Sequence, residues 1–154
     1  MSITLRLQMP IGARCMTTDG VLLDTCFMLW LSTEQPVART AVEKVTNARK
    51  NGGVIAVSVM SAWEIGMLVA KGRLPFIKSP LAWFEGFVQA GAASVEGIDS
   101  ELLVESSFLP GVVHNDPTDR IIIATARSKN LEIITRDRAI LAYGAAGFVK
   151  TVPC

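Results

Sequence analysis

The chain holds a single histidine, His114, among its 154 residues. A zinc site built from several imidazoles is thereby excluded. A Ser-His-Asp triad would have to run through that one residue, without the Gly-x-Ser-x-Gly turn that exposes a serine nucleophile. Three cysteines, Cys15, Cys26 and Cys154, form an odd set without the paired spacing of a zinc knuckle or a disulfide framework. Cys26 reads as a buried structural thiol. Neither Gly-x-x-x-x-Gly-Lys-Ser/Thr nor Gly-x-Gly-x-x-Gly occurs, which removes the nucleotide-triphosphate and dinucleotide readings. No apolar run approaches the roughly 20 residues that span a bilayer. Residues 1–20 carry Arg6 and Arg14 but no continuous apolar centre, so they do not read as a secretory signal. The expected compartment is the cytoplasm, with no membrane association. An excess of charge is also missing: 15 Lys and Arg against 14 Asp and Glu leave a net charge of +1. No global field attracts nucleic acid, and such a substrate would need a local basic patch.

What is abundant is apolar surface. Half of the residues are hydrophobic and the mean hydropathy is +0.39, a composition that fits a sheet buried on both faces together with a dimer or partner interface. Ile3, Leu5, Leu7 and Met9 alternate with other residues in a strand-like way that ends at Pro10. Beyond them strands are expected at Val21–Asp24, Val54–Ser58, Ser94–Ile98, Leu131–Thr135 and Phe148–Val152. Between these lie helical stretches: Thr25–Leu31, Ala38–Asn51, Ser61–Lys71, Ser79–Gln89, Ser100–Ser107, Asp116–Lys129 and Asp137–Tyr143. Asn51-Gly52-Gly53, Gly72 and Leu109-Pro110-Gly111 punctuate them. Strands alternating with helices imply an α/β domain whose central sheet is mainly parallel, with right-handed crossovers. One domain is expected over 21–154, preceded by an extension over 1–20 of uncertain role.

Four acids stand where apolar runs end or helices begin. Asp24 follows Val21-Leu22-Leu23, Glu64 comes soon after the run Val54–Val59, Asp119 heads Arg120–Ala126, and Asp137 lies just past Leu131–Thr135. Each has a purely structural alternative. Asp24 and Asp137 would cap the helices that follow, Ser61-x-x-Glu64 has the form of a capping box, and Asp116-Pro117-Thr118-Asp119 reads as a helix start. Taken together they point elsewhere, because the carboxyl ends of parallel strands converge on one rim, where open α/β sheets bind ligands. Two carboxylates about 4 Å apart repel by roughly 4 kcal/mol at an effective dielectric of 20. Several in one pocket therefore call for a cation. Oxygen-only ligands with almost no histidine suit Mg²⁺ or Mn²⁺, ions that activate water and steady the charge on a phosphodiester. Arg120, Arg136 and Arg138 are the basic residues that would stand near such a pocket, either facing a phosphodiester backbone or pairing with the acids. Trp63, Trp83 and Phe87 read as core or interface residues rather than as platforms for bases.

Those segments carry a resemblance. Leu22-Leu23-Asp24-Thr25, Ser61-Ala62-Trp63-Glu64-Ile65, His114-Asn115-Asp116-Pro117-Thr118-Asp119-Arg120 with Ile121–Ala126, and Ile134-Thr135-Arg136-Asp137 resemble the PIN-domain ribonucleases, above all the VapC toxins of type II toxin–antitoxin systems. The match runs from Val21 to Val152. It implies a three-layer α/β/α domain, an acidic pocket holding Mg²⁺ or Mn²⁺, and RNA cleavage by metal-activated water. It also implies a homodimer neutralised by a small VapB-like antitoxin whose C-terminal segment lies across the pocket; the apolar helices with Trp63, Ile65, Leu68, Trp83, Phe84 and Phe87 offer an adjacent groove for an amphipathic antitoxin helix. By the same resemblance Asp24 and Asp119 would ligate the metal, while Glu64 and Asp137 would complete the catalytic pocket directly or through water. Asp116 and Thr25 would stand in the outer shell. Two departures stand out: Cys26 occupies a position often filled by His, and the first acid lies at 24 rather than near residue 10. The leader either adds an edge strand or reflects a true start near Met16. A haloacid-dehalogenase-like phosphatase would want a second Asp where Cys26 stands, and a PIN-like binding module without catalysis would not need all four acids.

Overall fold

The computed structural model describes residues 20–112 and 115–154. The strand expected over Ile3–Met9, Cys15 and His114 lie outside them. In chain order the elements are β1 (Val21–Leu23), α1 (Thr25–Ser32), α2 (Arg39–Lys50), β2 (Ile55–Ser58), α3 (Val59–Ala70) and α4 (Pro80–Gly91). These are followed by β3 (Ser94–Glu96), α5 (Ser100–Ser107), α6 (Pro117–Lys129), β4 (Glu132–Thr135), α7 (Arg138–Ala145) and β5 (Lys150–Pro153). The five strands form one sheet in the order β3-β2-β1-β4-β5, and every neighbouring pair is parallel.

The sheet is covered on both faces, which is why its central strands read as unbroken apolar runs rather than as alternating ones. Leu22 pairs in register with Ala56 on one side and Ile133 on the other. All three point into a core made with Ile122, Ile123 and Ala126 of α6 and Ile140 and Tyr143 of α7. Their neighbours Val21, Leu23, Ile55, Val57 and Ile134 point the opposite way, against Phe27 and Met28 of α1, Ala41 and Ala48 of α2, Ile65 of α3 and Phe84 of α4. The result is three layers, α/β/α. α5 leans on α6 through Leu102, Ile121 and Ala124.

Two boundaries differ from the sequence expectation for identifiable reasons. β2 passes into α3 without a loop: Ser58 ends the strand and also caps the helix, its hydroxyl accepting from Met60 N at 3.2 Å. The helix thus begins at Val59, two residues early, and Ser61 lies inside it. At the other end, Phe148 is not part of the last strand. Its N–H bonds to Tyr143 O, closing α7, and its ring stacks on Tyr143 with centroids 4.9 Å apart, so β5 starts at Lys150.

The chain leaves β1 toward β2 and β3, then returns to place β4 on the other side of β1. The carboxyl ends of β1 and β4 therefore flank the point where strand order reverses, where the crossovers part and leave a crevice. The fold rests on side chains such as Ile133, fully buried between β1 and α6. Ile133→Ala should cost about 2–5 kcal/mol, to be read as a lower urea midpoint at unchanged slope.

Candidate active site

Asp24 is the first residue beyond β1 and the N-cap of α1. Its backbone N–H donates to Ile134 O of β4 at 3.1 Å, so the two strand ends stay joined past the sheet. Its side chain is only 7% exposed. One carboxylate oxygen, Oδ1, accepts from Thr25 N at 2.7 Å, and Oδ2 accepts from Thr135 Oγ1 at 2.7 Å. Thr135 is the last residue of β4 and is fully buried. Its hydroxyl oxygen also accepts from Asp137 N at 3.0 Å. Asp137 is the N-cap of α7, where Oδ1 accepts from Ala139 N and Ile140 N at 2.8 and 2.9 Å.

Glu64 arrives from the opposite side. The capping-box reading of Ser61 and Glu64 does not hold, because Ser58 is the cap of α3. Ser61 and Glu64 instead lie one turn apart on the same face of that helix and meet the same hydroxyl. Thr25 Oγ1 donates to Glu64 Oε2 and lies 2.9 Å from the fully buried Ser61 Oγ. Asp116 caps α6, accepting from Thr118 N at 2.8 Å and more weakly from Asp119 N at 3.4 Å, with Pro117 at the first helical position. Asp119 is half-buried in the first turn of the same helix.

The electrostatics tie these groups into one site. Burial pushes the Asp24 carboxyl above its ordinary range, offset by the bonds from Thr135 and Thr25 and reinforced by the Asp137 charge. Glu64 is also pushed up by burial, offset by Thr25 and reinforced by Asp24 and Asp116. Among the described residues no basic side chain acts on either carboxyl. A buried carboxylate without a compensating cation is costly. The helix starts at Thr25, Pro117 and Arg138 contribute partial positive charge, which favours anionic side chains at their caps.

Of the residues expected at the site, Asp24, Glu64, Asp116, Asp137 and Thr25 act on one another directly. Asp119 shares the α6 N-terminus with Asp116. Two hydroxyls were not anticipated as site residues, Ser61 and Thr135. The available signal for each was a small polar residue, three positions before Glu64 or two before Asp137, in an otherwise apolar stretch. Cys26 corrects an expectation: it is exposed, since the first turn of α1 turns it outward. Loss of water at its sulfur, then the charges of Asp24 and Glu64, push its thiol up to about 12.

Two arginines are engaged elsewhere. Arg120 donates to the carbonyls of Ser106 and Ser107 at 2.9 Å each, closing the end of α5. Arg136 donates to the carbonyls of Cys154 and Pro36 and lies 3.9 Å over the Trp30 ring. Arg138, at the start of α7, is exposed. Trp63 is 56% exposed and so is not a core residue. Ile65 and Phe84 are buried in the core and cannot line a groove, whereas Trp83 and Phe87 stack half-buried on α4.

The donor set is carboxylate and hydroxyl oxygen, which suits a hard divalent cation. Among the described residues no three Asp, Glu, His or Cys side chains close around a single point.

Comparison with known proteins agrees with this architecture. The family model described as PIN domain matches residues 21–145. Ribonuclease VapC22 of Mycobacterium tuberculosis is 28% identical over 129 residues, covering 83% of this chain and 93% of that protein. Among solved structures, VapBC2 of Rickettsia felis bound to a promoter DNA fragment superposes with a TM-score of 0.58 at 15% identity, covering 87% of this chain and 98% of that one. VapBC-5 of Mycobacterium tuberculosis superposes with a TM-score of 0.54 at 17% identity, covering 88% and 99%. With the parallel sheet, the acidic crevice at its reversal point and a family match over most of its length, the chain belongs to the PIN-domain family.

Proposed function

We propose that this PIN-domain protein is an endoribonuclease toxin, dependent on Mg²⁺ or Mn²⁺ and held inactive by a small VapB-like antitoxin. The observation that carries the reading is the pair Asp24 and Glu64. Both are raised above the ordinary carboxylate range, by burial first and then by acidic neighbours, and they meet at Thr25, which offers its N–H to Asp24 and its hydroxyl to Glu64. The relative VapC22 bears the name ribonuclease, and the related folds of Rickettsia felis and Klebsiella pneumoniae were solved as toxin–antitoxin complexes.

Asp24 and Asp119 would hold the cation, one from the end of β1 and one from the start of α6. A divalent ion bound there supplies a water of lowered pKa and positive charge against the phosphodiester. Glu64, held by Thr25, and Asp137, held by the α7 N-terminus, would orient the attacking water and take the one proton it gives up, while the departing oxygen is protonated from solvent. Asp116 would stand in the outer shell, its charge raising the Glu64 carboxyl. Arg138 is the basic residue left to face the RNA backbone, since Arg120 and Arg136 are tied to backbone carbonyls. Substrate RNA enters as an anion onto an acidic crevice, so binding and metal loading are coupled.

Two apolar surfaces fit the partners this reading requires. Val59, Trp63 and Met67 form an exposed stripe along α3 at helical spacing, and Leu103, Val104 and Phe108 form another on α5 and just beyond it. Exposed apolar area of this kind marks protein interfaces, here for a second copy of the chain and for the antitoxin. Among the described residues no helix is long and apolar enough to cross a membrane.

Asp24→Asn and Asp119→Asn are each expected to remove nearly all metal-dependent cleavage of a single-stranded RNA while leaving the far-UV circular dichroism unchanged. Near wild-type cutting by either folded variant would sink the ligand assignment. Co-expression with the neighbouring open reading frame should yield a complex that cleaves RNA only after the partner is removed by proteolysis, as gel assays before and after digestion would show.

The raised carboxyls make a second, thermodynamic expectation. The folded state binds their protons more tightly than the unfolded chain does. Their contribution to stability is therefore greatest at pH below the ordinary carboxylate range and falls as pH rises toward the raised native values. As pH rises the metal-free protein bears a growing cost of ionising the pair, and a divalent ion would relieve it by binding only the folded state. Metal-free Asp24→Asn should melt at or above the wild-type temperature at neutral pH. It should also lose most of the rise that millimolar Mg²⁺ gives the wild type, both read by differential scanning calorimetry.

A further inference from the structure

From the hydrogen bonds at the end of β4 we infer that Thr135 is a positioning residue for the metal site, setting Asp24 and Asp137 against each other through one hydroxyl. This rests on the metal-dependent reading of the crevice. Thr135 ends β4, is fully buried, and precedes Asp137 by two residues. A threonine hydroxyl carries one proton and two lone pairs. The Asp137 N–H points at the oxygen, 3.0 Å away, so it occupies a lone pair. The proton is then directed to Asp24 Oδ2, 2.7 Å away. A backbone N–H cannot accept, so the hydroxyl accepts from Asp137 and donates to Asp24.

Three features make this hydroxyl a better gauge of distance than a surface contact. Threonine is branched at Cβ and stiff at χ1. Its backbone is held on both sides, to β1 through the Asp24 N–H on Ile134 O and to β5 through the Cys154 N–H on Thr135 O. The Asp24 carboxylate is locked at its other oxygen by Thr25 N, so a single rotamer satisfies both bonds. The remaining lone pairs of Oδ1 and Oδ2 are thereby aimed rather than left to rotate. Meanwhile the Asp137 N–H that opens α7 is anchored to the same atom as the Asp24 side chain. Outer-shell partners of this kind change metal affinity by about 10- to 100-fold when removed.

Thr135→Val keeps the shape and burial of the side chain and deletes the hydroxyl, whereas Thr135→Ser restores it. Mn²⁺ binding by titration calorimetry on the metal-free protein is the primary readout, followed by RNA cleavage across Mn²⁺ concentrations. The valine variant should bind Mn²⁺ about 10-fold or more weakly and recover much of its cleavage rate at saturating Mn²⁺, and the serine variant should bind within about 3-fold of wild type. A packing role alone would change the metal-free melting temperature without moving the Mn²⁺ dissociation constant. Wild-type Mn²⁺ affinity in folded Thr135→Val overturns the inference. Failure of the wild type itself to bind Mn²⁺ overturns the metal reading beneath it, so the two failures are distinguishable. Should the valine variant not fold, Thr135→Cys, which keeps the volume and leaves only a weak donor, is judged by the same criterion.

Discussion

The hydrogen bond from Thr135 to Asp24 joins the two strands between which the chain changes direction, and most of what makes the site depends on it. β1 and β4 are adjacent in the sheet but 111 residues apart at this contact. The carboxylate it holds is buried, and burial of an ionised group is tolerated only with donors at hand. Two such donors are present on Asp24, one local and one from across the sheet. Their arrangement requires the ends of β1 and β4 to be in register, as the pairing of Leu23 with Ile134 ensures.

Around that contact the helices act as mounts. Three of the acids, Asp24, Asp116 and Asp137, are helix caps, each accepting from backbone N–H groups at the start of its helix. The structural and functional explanations of these residues are therefore not rivals. A cap holds a carboxylate in a defined rotamer at a positive helix end, and a helix that starts at the sheet rim delivers it to the crevice. Glu64 differs, since it comes from the second turn of α3 and is oriented by Thr25 instead of by a helix end.

The opposing effects at Asp24 and Glu64 also bear on how such a site is regulated. Desolvation and acidic neighbours raise both carboxyls while hydroxyl and amide donors lower them. On the metal-dependent reading proposed above, metal and protons would compete for the same oxygens, and a cationic side chain supplied by a partner would enter on equal terms. That would make the site simple to silence with a protein.

Chain order alone was enough to settle the alternation of strands and helices, the acids at their junctions and the apolar runs of β1, β2 and β4, because period and punctuation are local properties. Most element ends came within a residue or two. Two of the shifts have a tertiary cause: Ser58 serves strand and helix at once, and the ring of Phe148 is taken by Tyr143. Neither is visible without the partner in space. The placing of Thr135 and Ser61 against the acids, the loss of Arg120 and Arg136 to backbone carbonyls, and the exposure of Cys26 and Trp63 were decided only by tertiary structure. Each depends on which groups from distant segments arrive at the same point, and hydroxyls, guanidiniums and aromatic rings carry no periodic signal that announces their partners. Strand order β3-β2-β1-β4-β5 belongs with them, since the reversal that creates the crevice is a property of the assembled sheet and not of any one segment.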